Sequence, residues 1–111
     1  MNIDRCVDVV CAKYGISRNW LLSKRKSMKV RLPRHVAYWL AAETSKEVIS
    51  VIAEQFEKHE STVAYGIRMI EYYRNNDPAF REETNALVQS ICCEKSEVIN
   101  NLTQANLRVI G

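Results

Sequence analysis

Glycine and proline are scarce in this sequence, three and two among 111 residues. Sandwiches and barrels need a tight turn about every ten residues, so the scarcity points away from them and towards helices. No apolar run is long enough for a signal peptide or a membrane span, and acids come early, at Asp4 and Asp8. The expectation is a cytoplasmic protein with no membrane partner. Four cysteines are present, but Cys6 and Cys11 fall in a helix-like apolar pattern. Adjacent Cys92 and Cys93 would point about 100° apart on a helix. All four read as buried or idle thiols in a reducing compartment, with no metal and no cofactor. Histidine is scarcer still: His35 and His59 each stand among charged residues that read as surface. Neither has a Ser or Cys partner at a suggestive spacing, so the chain is not expected to be an enzyme or to take a small-molecule substrate.

What is present is ordinary in amount and uneven in placement. The formal charge is +3. Residues 1 to 45 carry nine Lys or Arg against three acids, a balance of +6, and residues 46 to 111 carry seven against ten, a balance of −3. Lys24, Arg25, Lys26, Lys29, Arg31 and Arg34 fall within eleven residues. Six cations this close repel one another, and a phosphate backbone would relieve them.

Apolar spacing lays out the helices. Ile3, Val7, Val10 and Tyr14 form a stripe over residues 2 to 14, which Gly15 closes. Ser17 caps a short helix at 18 to 22, where Trp20, Leu21 and Leu22 supply apolar surface. Residues 23 to 31 read as a basic loop, and Pro33 as the first turn of a helix at 33 to 43 with Val36, Ala37, Leu40 and Ala41 inward. Thr44 or Ser45 caps the next helix, which carries Val48, Ile49, Ile52, Ala53 and Phe56. After the break Glu57-Lys58-His59-Glu60, another helix runs to about residue 74 with Val63, Ile67 and Ile70 inward. Asp77 and Pro78 then open a last helix through Leu87, Val88 and Ile91. No strand alternates convincingly, so the fold class is all-α, a bundle of six or seven helices.

The two helices across 46 to 75 have the dimensions of a helix-turn-helix. The second would present Ser61, Thr62, Ala64, Tyr65 and Arg68 outward at its N-terminal end. Hydroxyls there can bond phosphates or base edges, and Arg68 suits guanine or phosphate.

At this point the residues reach a family. Tyr14-Gly15-Ile16-Ser17, then Leu21-Leu22-Ser23-Lys24-Arg25-Lys26, then Leu32-Pro33-Arg34-His35-Val36-Ala37 resemble the C-terminal DNA-binding domain of the bacterial replication initiator DnaA. Ile52-Ala53-Glu54-Gln55-Phe56 and Ser61-Thr62-Val63 resemble its helix-turn-helix. The resemblance implies a Trp-repressor-like domain that binds a short non-palindromic box in duplex DNA. Its recognition helix would enter the major groove while the basic loop reaches the minor groove. By position, Lys24, Arg25 and Lys26 would make the loop contacts, with Lys29 and Arg31 in the same segment, while Pro33 and Arg34 would begin the helix that braces the loop, with Arg34 on a phosphate. Ser61 and Thr62 match the hydroxyl pair that opens the recognition helix.

Departures cluster in the turn. The family usually has Gly-Gly-Arg-Asp-His before the hydroxyl pair, whereas Glu57-Lys58-His59-Glu60 is one residue shorter, with the acid and the His reversed. Lys58 stands in for the Arg, and Glu60 takes the place of a base-reading His, where a carboxylate repels phosphate but can accept from cytosine N4. Tyr65 stands where the family often has His, and Met28 replaces a common basic residue. The initiator's ATPase signature G-x-x-x-x-G-K-[ST] is absent from these residues, so the expected protein is a stand-alone regulator of replication or transcription.

Residues 1–93 read as this domain and 94–111 as a helical extension. In the extension, Val98, Leu102, Ala105 and Val109 continue an apolar stripe that either packs on the first helix or joins two chains into a homodimer. The rival reading is therefore a protein-interaction module acting through that stripe. RNA binding is disfavoured for want of exposed stacking aromatics, with Trp20, Tyr38 and Trp39 on helices that read as internal.

Overall fold

A computed structural model describes residues 2–24 and 27–95. Six helices follow in order: α1 (Asn2–Tyr14), α2 (Arg18–Leu21), α3 (Met28–Ser45), α4 (Ile49–Phe56), α5 (Glu60–Asn76) and α6 (Pro78–Lys95). No strand occurs among the described residues. α1 ends as its sequence requires, with Gly15 at φ +66°, a left-handed conformation that a residue without Cβ adopts freely. Ser17 caps α2, its side chain accepting from the Trp20 amide at 3.1 Å. Asp77 caps α6 through the amides of Ala79 and Phe80, with Pro78 in the first position.

α3 is the axis of the fold. It packs against each of the other five helices, and every residue from 33 to 41 is buried. Its middle is enclosed on every side, with Tyr38, Trp39 and Leu40 at the centre, while Lys29, Arg31 and Glu43 near its ends are exposed. Around it lie Ile3, Val7 and Val10 of α1, Leu21 of α2, Ile52 and Phe56 of α4, Val63 and Ile70 of α5, and Leu87 and Ile91 of α6.

Several expectations are corrected here. The basic segment is not a nine-residue loop, because α3 starts at Met28 and Pro33 lies inside it. The amides of Val30 and Arg31 bond to the Ser27 carbonyl, and this opens the helix. Val30, Pro33, Arg34, Ala37 and Ala41 form a buried stripe at helical spacing, hidden from an apolar count by its proline and arginine. Thr44 and Ser45 are not caps. They belong to the last turn of α3, their hydroxyls donating back to the carbonyls of Leu40 and Ala41. Lys46, at φ 61°, then ends α3, and α4 begins at Ile49 behind Val48. Val48 is 63% exposed and Ile49 36%, so neither belongs to the inner face. Trp20 and Leu22 are exposed as well, leaving Leu21 alone to anchor α2. His35 is buried rather than at the surface.

Charged side chains fasten the ends. Arg18 forks onto Asp4 at 2.7 Å and Asp8 at 2.9 Å, pinning α2 to α1. Arg74 lies 4.5 Å over the Trp39 ring and donates to Thr84 and Asn85, which ties the end of α5 to α6. α6 continues through Lys95. Val98, Leu102, Ala105 and Val109, with the expected extension beyond Lys95, lie outside the described residues.

Candidate nucleic-acid interface

α4 and α5 are joined by three residues, Glu57, Lys58 and His59. The turn is closed by a left-handed residue, Glu57 at φ 55°, whose amide bonds to the Glu54 carbonyl, while the Lys58 amide bonds to Ala53. That is a helix C-cap geometry that glycine adopts most easily and a carboxylate side chain adopts under strain. α5 then starts without a side-chain cap at His59. The amides of Thr62 and Val63 both reach the His59 carbonyl, so the orphan donors of the helix start are those of Glu60 and Ser61.

Close packing aims this helix. α5 crosses α3 at Gly66, where any Cβ would lie 2.8 Å from the His35 ring and 2.9 Å from the Tyr38 ring. His35 contacts Tyr65 edge-on, with ring centroids 5.8 Å apart, and Tyr38 meets Phe56 in the same way at 4.9 Å. This aromatic stack fixes the N-terminal half of α5 against the N-terminal half of α3. An open cleft of about 800 Å³ runs between them.

Seven of the residues anticipated from sequence line that cleft: Lys24, Arg31, Arg34, Lys58, His59, Thr62 and Tyr65. Glu60, Ser61 and Arg68 are exposed on α5 beside it. Lys29 is exposed on α3 and lines a separate groove with Trp20 and Tyr14. Arg25 and Lys26 lie outside the described residues. Arg34 differs most from its expected part as a phosphate contact. It is 8% exposed, and its guanidinium donates to the Leu21 carbonyl at 2.8 Å and the Ser23 carbonyl at 2.6 Å. It thus holds the start of the basic loop in place. Lys58 reaches the same Ser23 carbonyl at 3.5 Å, linking the helix-helix turn to that loop.

The cleft carries both signs of charge, with Glu54 and Glu57 lining it together with Lys24, Arg31, Arg34 and Lys58. The Lys58 ammonium is pulled below its ordinary range, first by burial and then by Arg34 and Lys24, with Glu57 opposing. His35 is held below the usual imidazole range by burial and by Arg31 and Arg34. The Tyr38 hydroxyl is buried without a partner among the described residues and is pushed up to about 12 by burial. Sequence reasoning missed His35 and Tyr38 as walls of this cleft. The signal lies in their spacing to Arg31 and Arg34 on one helix: a helix from residue 33 holds Arg34, but a loop over residues 23 to 31 leaves Arg31 off it.

A sequence profile described as the bacterial dnaA protein helix-turn-helix matches residues 3–70, from α1 into α5. The chain belongs to this family. Relatives include the chromosomal replication initiator protein DnaA of Sphingopyxis alaskensis, 33% identical over 92 residues, which are 82% of this chain and 20% of that protein. The same protein of Rickettsia akari is 31% identical over 81 residues, 72% of this chain and 18% of that protein. The chain thus spans about a fifth of the length of the relatives it matches. The profile covers α3, α4 and the first two-thirds of α5, and α6 lies beyond it. Among the described residues no helix is long and apolar enough to cross a membrane, and no three metal-ligating side chains gather.

Proposed function

We propose that this DnaA-type domain is a sequence-specific reader of double-stranded DNA. The N-terminal half of α5 enters the major groove, and the basic segment from Lys24 to Arg31, with Lys58, grips the flanking phosphates and the minor groove. Binding of this kind suits a regulator of replication or transcription and needs no ATPase of its own.

One contrast carries the reading. Along a single helix, Glu60, Ser61, Thr62 and Arg68 are exposed and have no side-chain partner among the described residues, whereas Arg74 is held by several bonds and a ring. Polar groups left open beside a cation-lined cleft are poised for an outside partner. The uncapped start of α5 adds two amides favourable to a phosphate. α3 and α4 likewise start without a side-chain cap, whereas α2 and α6 are closed by Ser17 and Asp77.

The test is enrichment from a randomised duplex library, with sequencing of the bound fraction for wild type and Thr62→Ala. Wild type should enrich a short motif, whose symmetry reports monomer or dimer. The variant should lose roughly 1–3 kcal/mol on that motif and little on random duplex. Equal losses on both would remove α5 from the recognition role. No enrichment at all would direct attention to a protein partner.

A further inference from the structure

Trp20 stands at the surface of a helix expected to turn it inward. It is 45% exposed and lines a groove of about 650 Å³ with Tyr14, Ile16, Lys29, Leu32 and Pro33. The groove opens between the end of α1, the short helix α2 and the first turns of α3. It is distinct from the cleft at α5. At 100° per residue, Lys29, Leu32 and Pro33 fall on one side of α3. The residues that α3 gives to the cleft, Arg31, Arg34, His35 and Tyr38, fall on the opposite side.

The lining selects the ligand. Its volume lies within the roughly 300–1,000 Å³ of small-ligand sites. Its walls are aromatic and aliphatic, Lys29 is its one charged residue, and no acid lines it among the described residues. A wholly apolar ligand leaves the Lys29 ammonium unused, and a bare phosphate leaves the rings unused. A nucleotide uses both, because any base offers a flat face to an aromatic ring while a cation holds the backbone. Inside a duplex both faces of a base are already stacked, so the base that enters must be unpaired.

We propose that the groove at Trp20 takes an unpaired nucleotide of single-stranded DNA, its base stacked on the Trp20 ring and its phosphate on Lys29. The choice of DNA rests on the duplex reading above, because Lys29 belongs to the same basic cluster as Lys24 and Arg31 of the cleft. Two sites on opposite sides of α3 let one domain hold a duplex and an adjoining single strand together.

The experiment compares a short labelled single-stranded DNA with an abasic strand of the same length and charge. Wild type, Trp20→Leu, Trp20→Phe and Lys29→Ala are titrated by fluorescence polarisation. Wild type should bind the strand with bases more tightly than the abasic one. Its tryptophan emission should be quenched, since Trp39 is buried and Trp20 is the exposed ring. Trp20→Leu keeps an apolar wall but should lose roughly five- to 150-fold on the strand with bases and nothing on the abasic strand. Trp20→Phe should recover most of that loss. Lys29→Ala should weaken both strands and make the salt slope shallower by about 0.7. Duplex binding should be the same in Trp20→Leu as in wild type, so this proposal and the duplex reading fail separately. Equal affinity of wild type for the two strands, or full affinity in Trp20→Leu, overturns the proposal. So does tighter binding of the matching RNA strand, which would make the groove an RNA site. Tryptophan emission that shifts with protein concentration alone and ignores both strands overturns it in favour of a second copy of this chain.

Discussion

His35 is held where a proton is unwelcome. Its ring is 8% exposed, in contact with Tyr38 and Tyr65 and pressed against the backbone at Gly66. Burial, then Arg31 and Arg34, lowers its pKa from the usual imidazole value. The unfolded chain takes up the proton as pH falls through about 6.5, while the folded chain resists it. Folding is therefore favoured fully above that pH, and the contribution is lost as pH falls through it towards the lower folded value. The melting temperature should drop between pH 7.5 and pH 5.5, and His35→Phe, which keeps a ring, should flatten that drop. Equal slopes in the two proteins would show that the pH dependence lies elsewhere. His35 also marks what the sequence hid at this scale. Charged neighbours made it look solvated, and only the crossing of α5 over α3 buries it. Thr62 and Tyr65 were legible because helical spacing alone turns them outward.

Among the elements, the legible helices were those with a strong end signal. Gly15, Ser17, and the Asp77-Pro78 pair each act through local backbone chemistry, and each lies where expected. α3 was misjudged at both ends for the opposite reason. Its start holds a buried proline and a buried arginine, and its end holds hydroxyls that donate back into α3, with Ser45 also accepting from the Glu47 amide, while neither caps α4. Tertiary packing overrode the local signal in both places. Arg34 is the clearest case, since its charge suggested DNA while its guanidinium spans the last carbonyl of α2, Leu21, and the Ser23 carbonyl of the loop after it. Arg34→Lys keeps the charge but cannot supply two diverging donors from a planar fork. It should destabilise the fold by roughly 1–3 kcal/mol, because buried carbonyls lose their donor. It should also weaken DNA binding more than Lys24→Ala does, because the loop itself shifts. Urea unfolding and duplex titration of the two variants decide this. An Arg34→Lys protein with wild-type stability and affinity would mean the loop is held by something else.

For the molecule as a whole, the unequal charge of the sequence becomes an arrangement in space. The loop, the first turns of α3 and the turn before α5 bring Lys24, Arg31 and Lys58 to one cleft, while α6 carries Glu82 and Glu83 exposed. A chain with net charge of only +3 thus gathers several cations at one cleft, with Glu54 and Glu57 beside them. If Lys24, Arg25, Lys26, Lys29, Arg31 and Lys58 all neutralise phosphates, the plot of log affinity against log salt should have a slope of about −5. Random-duplex affinity would then fall roughly a thousandfold between 50 and 200 mM salt. Lys24→Ala should make the slope shallower by about one unit and weaken specific and random duplexes alike. Arg68→Ala should act differently if it faces a base, because it would lower the specific affinity and leave the slope nearly unchanged. A slope near zero in wild type would separate these cations from phosphate altogether, since six cations at a polyanion cannot bind without releasing counterions.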